Sequence, residues 1–150
     1  MEYCPVDSWV GADAIAHHPG HLIVKGQVAD LAACQLALQR WLKQKADQHL
    51  VPWLQTVSQT TQLPFDKAVI RSQKKRWASC SSHKVINLNC KLLLIPPPLV
   101  NYIFVHELCH TVHMNHSPQF WQLVSVYLPN YKQLDKALDQ AWQTFPLWAR

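Results

Sequence analysis

The stretch His106-Glu107-Leu108-Cys109-His110, with His113 and His116 close behind, constrains this chain more than any other. Residues four apart lie on one face of a helix, so a helix here aims the imidazoles of His106 and His110 at a common point. Zinc accepts neutral imidazole nitrogen, favours tetrahedral ligation, and in reactive sites leaves one of its four positions to water. Glu107, adjacent to the first ligand, is then placed to take a proton from that water. Histidine is abundant, with nine copies, so the pair alone says little; glutamate occurs only as Glu2 and Glu107. The full pattern arises in roughly one shuffled sequence of this composition in a hundred, which favours a hydrolytic metal site over a chance alignment of histidines.

A third ligand has to come from elsewhere. No glutamate follows Glu107, so the candidates are His113, His116, Asp135, Asp139 or an upstream histidine. His113 would share the metal face of a continuing helix, but three ligands stacked along one straight helix wrap a tetrahedron badly. His116 needs the chain to turn first. Asn115 tolerates the left-handed conformation that ends helices, Ser117 is a good N-cap, and Pro118 a good first helical residue. This turn chemistry favours His116.

At 150 residues the chain has the length of one domain. Such a domain buries about 70% of its unfolded surface and needs no disulfide staples. Charged residues make up only 15% and hydrophobic ones 49%, which argues against disorder. The formal charge of +5 allows an acidic partner. The cysteines, at 4, 34, 80, 90 and 109, are odd in number and lack C-x-x-C spacing. With no signal peptide, this points to a reducing, cytoplasmic setting. No apolar run is long enough to span a bilayer.

Along the chain, residues 1–20 show no persistent period and are expected to form an N-terminal arm, with one domain over 21–150. His17, His18 and His21 cluster there and read as polar surface. Leu22-Ile23-Val24 suggests an edge strand. Asp30 is a candidate N-cap for a helix carrying Leu31, Cys34, Leu38, Trp41 and Leu42 on one face. Pro52 is expected to kink or restart it. Ala68-Val69-Ile70 predicts a strand. After the basic run Lys74-Lys75-Arg76, a second strand is expected over Lys84–Leu92, reached through a hairpin around Ser81–His83. Pro96-Pro97-Pro98 releases a helix near Leu99 that runs into the histidines. Two more helices follow Ser117 and Asn130 and end before Pro146.

With these residues placed, the chain resembles the YgjP-like metallopeptidase domain family, a relative of the SprT-type zincins. The resemblance rests on Arg76-Trp77-Ala78-Ser79-Cys80-Ser81-Ser82, Ile86-Asn87-Leu88-Asn89, Leu92–Pro97, Tyr102–His110, Asn115–Trp121 and Leu128–Lys132, in order over roughly residues 35 to 140. It implies an α+β, zincin-like fold, with a small antiparallel sheet packed on the helices that carry the site. It also implies zinc held by His106, His110 and His116, with Glu107 as base. The family has Gly where Ala78 stands and a longer N-terminal β region than residues 21–28.

The expected activity is zinc-dependent hydrolysis of a peptide or protein. Arg76, Lys75 and Tyr131 are candidates to bind substrate and steady the oxyanion, and a peptide could pair with the strand edge Val69–Lys75. Two alternatives keep the site. A nucleotide pyrophosphatase would use Lys74-Lys75-Arg76 for phosphates, although three glycines leave no phosphate loop. A protease associated with nucleic acid would use the same run beside Trp77, with binding that weakens steeply in salt.

Overall fold

The computed structural model describes residues 2–5, 12–18, 21–26 and 31–144. The chain divides into two compact units, Met1–Lys45 with Pro146–Arg150, and Ala46–Phe145.

In the first unit, β1 (Glu2–Pro5), β2 (Ala12–His18) and β3 (His21–Gly26) form a sheet of order β1-β3-β2. β1 runs parallel to β3, and β2 antiparallel to it with an irregularity between Ala16 and His18. β3 covers the strand predicted at Leu22–Val24, but it is the central strand of this sheet and not the expected edge, since β1 and β2 pair on either side of it. β1 and β2 lie where an arm was expected, so the N-terminal β region extends well beyond 21–28. Their strand character comes from pairing with a neighbour, which a local hydrophobic period does not report. The Asp30 cap falls outside the described residues.

The helix α1 spans Leu31–Thr61 and passes through the unit boundary. Cys34, Ala37, Leu38, Leu42, Ala46, Leu50, Leu54 and Val57 are buried at helical spacing. That stripe continues on both sides of Pro52, which is itself exposed, and the expected restart does not occur. The missing amide donor orphans one carbonyl at an exposed residue, Gln48, where water can satisfy it. The helix ends on a Schellman motif: the Gln62 N–H donates to the Gln59 carbonyl (3.4 Å), the Leu63 N–H to that of Ser58 (3.2 Å). Gln62 takes the left-handed conformation, φ 58°.

The second unit holds β4 (Lys67–Arg71), β5 (Ala78–Cys80) and β6 (Val85–Asn89) in the order β4-β6-β5. β5 and β6 form the predicted hairpin, closed by Lys84 N–H to the Ser81 carbonyl (2.9 Å) with Lys84 at φ 61°. β4 joins β6 in parallel, so the sheet is mixed, not antiparallel throughout. Thirteen residues separate Arg71 from Val85, enough for the crossover that parallel pairing requires. β6 is central, with Ile86 and Leu88 fully buried. It stops at Asn89, short of the expected Leu92, because the Asn89 side chain accepts from the Lys91 N–H and caps a 3-10 helix over Cys90–Leu94.

Three helices complete the unit: α2 (Pro97–Cys109), α3 (Pro118–Tyr127) and α4 (Tyr131–Ala141). α2 starts two residues before Leu99, since proline is tolerated in a first turn where the amide has no partner to lose. It is buried on most of its circumference and touches β5, α3 and α4. Phe104 on its inner face meets Trp53 of α1 edge-to-face at 5.2 Å. The Tyr127 hydroxyl donates to the Thr61 carbonyl (2.9 Å), tying the end of α3 to the end of α1. This is the α+β architecture the resemblance implies.

Candidate metal centre

α2 carries His106 and His110 one turn apart and then stops. The His110 N–H closes onto the carbonyls of Glu107 (3.1 Å) and His106 (3.3 Å), and the next turns tighten: Thr111 to Leu108, Val112 to Cys109, His113 to Cys109. Asn115 is not left-handed; Gln62 and Lys84 are the positive-φ residues other than glycine among those described. The reversal is built from these tight backbone turns instead. Ser117 then caps α3, accepting from the Phe120 N–H at 3.3 Å, with Pro118 in its first turn. His116 sits just before that cap and swings back over α2.

The result is a convergence of three ring nitrogens. His116 Nε2 lies 3.2 Å from His110 Nε2 and 3.2 Å from His106 Nε2. Ligands at a zinc–nitrogen length of about 2.05 Å in a tetrahedron sit about 3.3 Å apart, so the spacing fits one ion. The tautomer fits as well. His110 Nδ1 is 3.0 Å from the His113 carbonyl, which only a protonated Nδ1 can use, and this leaves Nε2 as a bare lone pair. That lone pair faces the point on which the other two ring nitrogens converge. His106, His110 and His116 are the group able to hold a metal among the described residues. Phe120 stacks on His110 (4.3 Å, 19°) and Trp121 on His116 (5.7 Å, 23°), limiting how the rings can turn.

Electrostatics follow from burial. His106 is held down at about 3, first by burial and then by His110 and His116, so it is neutral and ready to ligate. Burial lowers His110 too. Glu107 is 6% exposed, and burial pushes its carboxyl up to about 8 against the pull of the Arg76 guanidinium. A carboxylate poised near neutrality suits a proton acceptor. These groups border a cleft of about 380 Å³, lined also by Arg76, Cys80, Tyr102, Met114 and Asp135.

Of the candidate substrate residues, Arg76 lines the cleft, whereas Lys75 does not. Tyr131 also stands outside the cleft lining, stacked on Trp121 at 5.3 Å. The strand bordering the cleft is β5, not the Val69–Lys75 edge, because β6 separates β4 from it. Asp135 accepts a hydrogen bond from Tyr102 (2.9 Å) and holds no place among the convergent ligands. His113 enters through its carbonyl, a contact no side-chain pattern announces. Tyr102, which also lines the cleft, was missed as a site residue, although its place one turn before His106 was a signal for it.

An α+β scaffold whose helix carries His-Glu-x-x-His, completed by a histidine ahead of the next helix, defines a metal-dependent hydrolase. The chain belongs to the YgjP-like metallopeptidase domain family, whose model matches residues 16–141. It is therefore a metal-binding protease by family. Among solved structures it is similar to the metallopeptidase zymogen abylysin of Pyrococcus abyssi, with TM-score 0.54 and 24% identity over 60% of this chain and 91% of that one. The metallopeptidase zymogen jannalysin of Methanocaldococcus jannaschii is similar with TM-score 0.51 and 21% identity, over 59% and 91%. At these identities the likeness is one of fold. No curated protein sequence matches the chain. No helix among the described residues is long and apolar enough to cross a membrane.

Proposed function

We propose that the chain is a zinc-dependent peptidase in which His106, His110 and His116 hold the ion and Glu107 is the general base. The observation that carries this reading is the convergence of the three Nε2 atoms on one point, with Glu107 in the same cleft. Zinc, when bound there, would supply Lewis acidity that activates a water and polarises a carbonyl. Glu107 takes the proton of the attacking water and delivers it to the leaving amine. Arg76, which lines the same cleft, binds substrate, and its charge favours the ionised form of Glu107. An extended peptide pairs with the open edge of β5, which borders the cleft.

The test is metal content. One zinc per chain is expected in the purified protein and in His113→Ala, and a large loss in His116→Ala; the reverse pattern would overturn the ligand assignment. Peptide hydrolysis dependent on that zinc completes the test. The pyrophosphatase alternative calls on Lys74 and Lys75, which do not line the cleft. Release of pyrophosphate from a nucleoside triphosphate, without peptide cleavage, would favour it.

A further inference from the structure

The cleft wall that carries Arg76 belongs to residues 72–77, which form no helix or strand. A loop with three cations in sequence has no apolar anchor of its own in Lys74, Lys75 or Arg76, all exposed. At its far end Trp77 packs edge-to-face on Trp142 (4.7 Å), and the stretch before it is held from the end of β6. Asn89 is fully buried, and its carboxamide nitrogen donates to two loop carbonyls, Gln73 (2.8 Å) and Arg76 (2.7 Å). Its backbone N–H donates to a third, that of Trp77 (2.8 Å). Its Oδ1 meanwhile accepts from Lys91 N–H (3.1 Å). Every polar group of the side chain is engaged, with the two amide hydrogens spent on the loop and the oxygen on the cap. A buried carboxamide satisfied in this way is rigid, since rotating it breaks all of its bonds together.

We propose that Asn89 is a positioning residue for catalysis: its carboxamide clamps the loop 72–77 so that Arg76 stands in the wall of the cleft that Glu107 also lines. The inference rests on the proposed role of Arg76, and the capping and clamping functions of Asn89 can be separated. Serine and aspartate both cap helices well. Asn89→Ser keeps an acceptor for the Lys91 amide and loses both donations to the loop. Asn89→Asp keeps the acceptor and sets a carboxylate against two carbonyl oxygens.

In the zinc-loaded protein, both variants are expected to retain one zinc per chain. The backbone amide at position 89, bonded to Trp77, should exchange with solvent faster, while that of Lys91 stays protected. Loss of kcat/KM for a peptide substrate should be about tenfold, as for opening a loop held by one or two net hydrogen bonds. In an Arg76→Ala background the same substitutions should cost nothing further, because the residue they position is gone. Additive losses, or an unchanged kcat/KM with an unchanged amide at 89, would overturn the proposal. So would collapse of the unfolding midpoint in both variants, since Asn89 would then hold up the domain and not the loop. If Arg76→Ala is silent while the amide at 89 still loosens in Asn89→Ser, the clamp is real but not catalytic, and the positioning role fails with it. Metal content and zinc-dependent turnover of the parent, measured in the same series, report separately on the peptidase reading.

Discussion

At the scale of single residues, the chemistry depends on which protons are held and where. Glu107→Gln should keep the metal, because the group able to hold one is His106, His110 and His116. It should lose roughly a hundredfold or more in kcat, as expected for a missing general base; metal analysis beside peptide turnover checks both halves. With metal removed by chelation, Glu107 also leaves a signature in stability. Its folded carboxyl titrates at about 8 against an ordinary 4.5, so the folded state binds that proton more tightly than the unfolded chain. Stability from this group is present at low pH and is lost as pH rises toward 8. His106 and His110, lowered from an ordinary 6.5, act oppositely and only below that value. Between pH 6.5 and 8 the metal-free protein should therefore lose stability, by at most about 1.4 kcal/mol per pH unit, and Glu107→Gln should flatten the slope. Denaturant titrations across that window decide it. That His106, Glu107, His110 and His116 would meet in one cleft was legible, because a four-residue spacing and a Ser-Pro helix start are local facts. The use of the His113 carbonyl, and of Arg76 but not Lys75, was not: each depends on how the backbone closes in space.

Elements show the same division. The start of α3 could be read from Ser117-Pro118, and it matters for the metal because His116 precedes the cap while Phe120, which donates to it, stacks on His110. Ser117→Ala should cost about 1 kcal/mol of stability. It should also weaken zinc affinity several-fold, measurable by competition with a chelator; an unaltered affinity would separate the cap from the site. The end of α1 offers the opposite sign. Gln62 is left-handed in a Schellman motif, a conformation that costs a side-chain-bearing residue about 1 kcal/mol. Gln62→Gly should raise the thermal midpoint. What escaped the sequence at this scale were overrides of local preference. Pro52 does not restart α1, because the buried stripe runs past it on both sides. β6 ends at Asn89, because that side chain is drawn into a cap and a clamp. β1 and β2 carry no period, because their partner is β3.

For the molecule as a whole, the ion would bind a helix end to the approach of the next helix, and so link parts of the fold that the backbone joins only through a turn. Zinc at a hundred times its dissociation constant should then stabilise the protein by about 2.7 kcal/mol. Calorimetry with and without chelator should show the midpoint fall on metal removal, and His116→Ala should abolish the difference. The sequence by itself determined the spacing of the histidines, the glutamate beside them, the hairpin, the helix order and the α+β class. Each is written in residues within a turn or two of one another, or in a periodic pattern that local geometry enforces. Only the tertiary structure decided which strand edge borders the cleft, that the sheet is mixed, and which cation of a run of three lines the cleft. Those outcomes turn on contacts between segments far apart in the chain, where burial and hydrogen-bond closure outweigh any local preference.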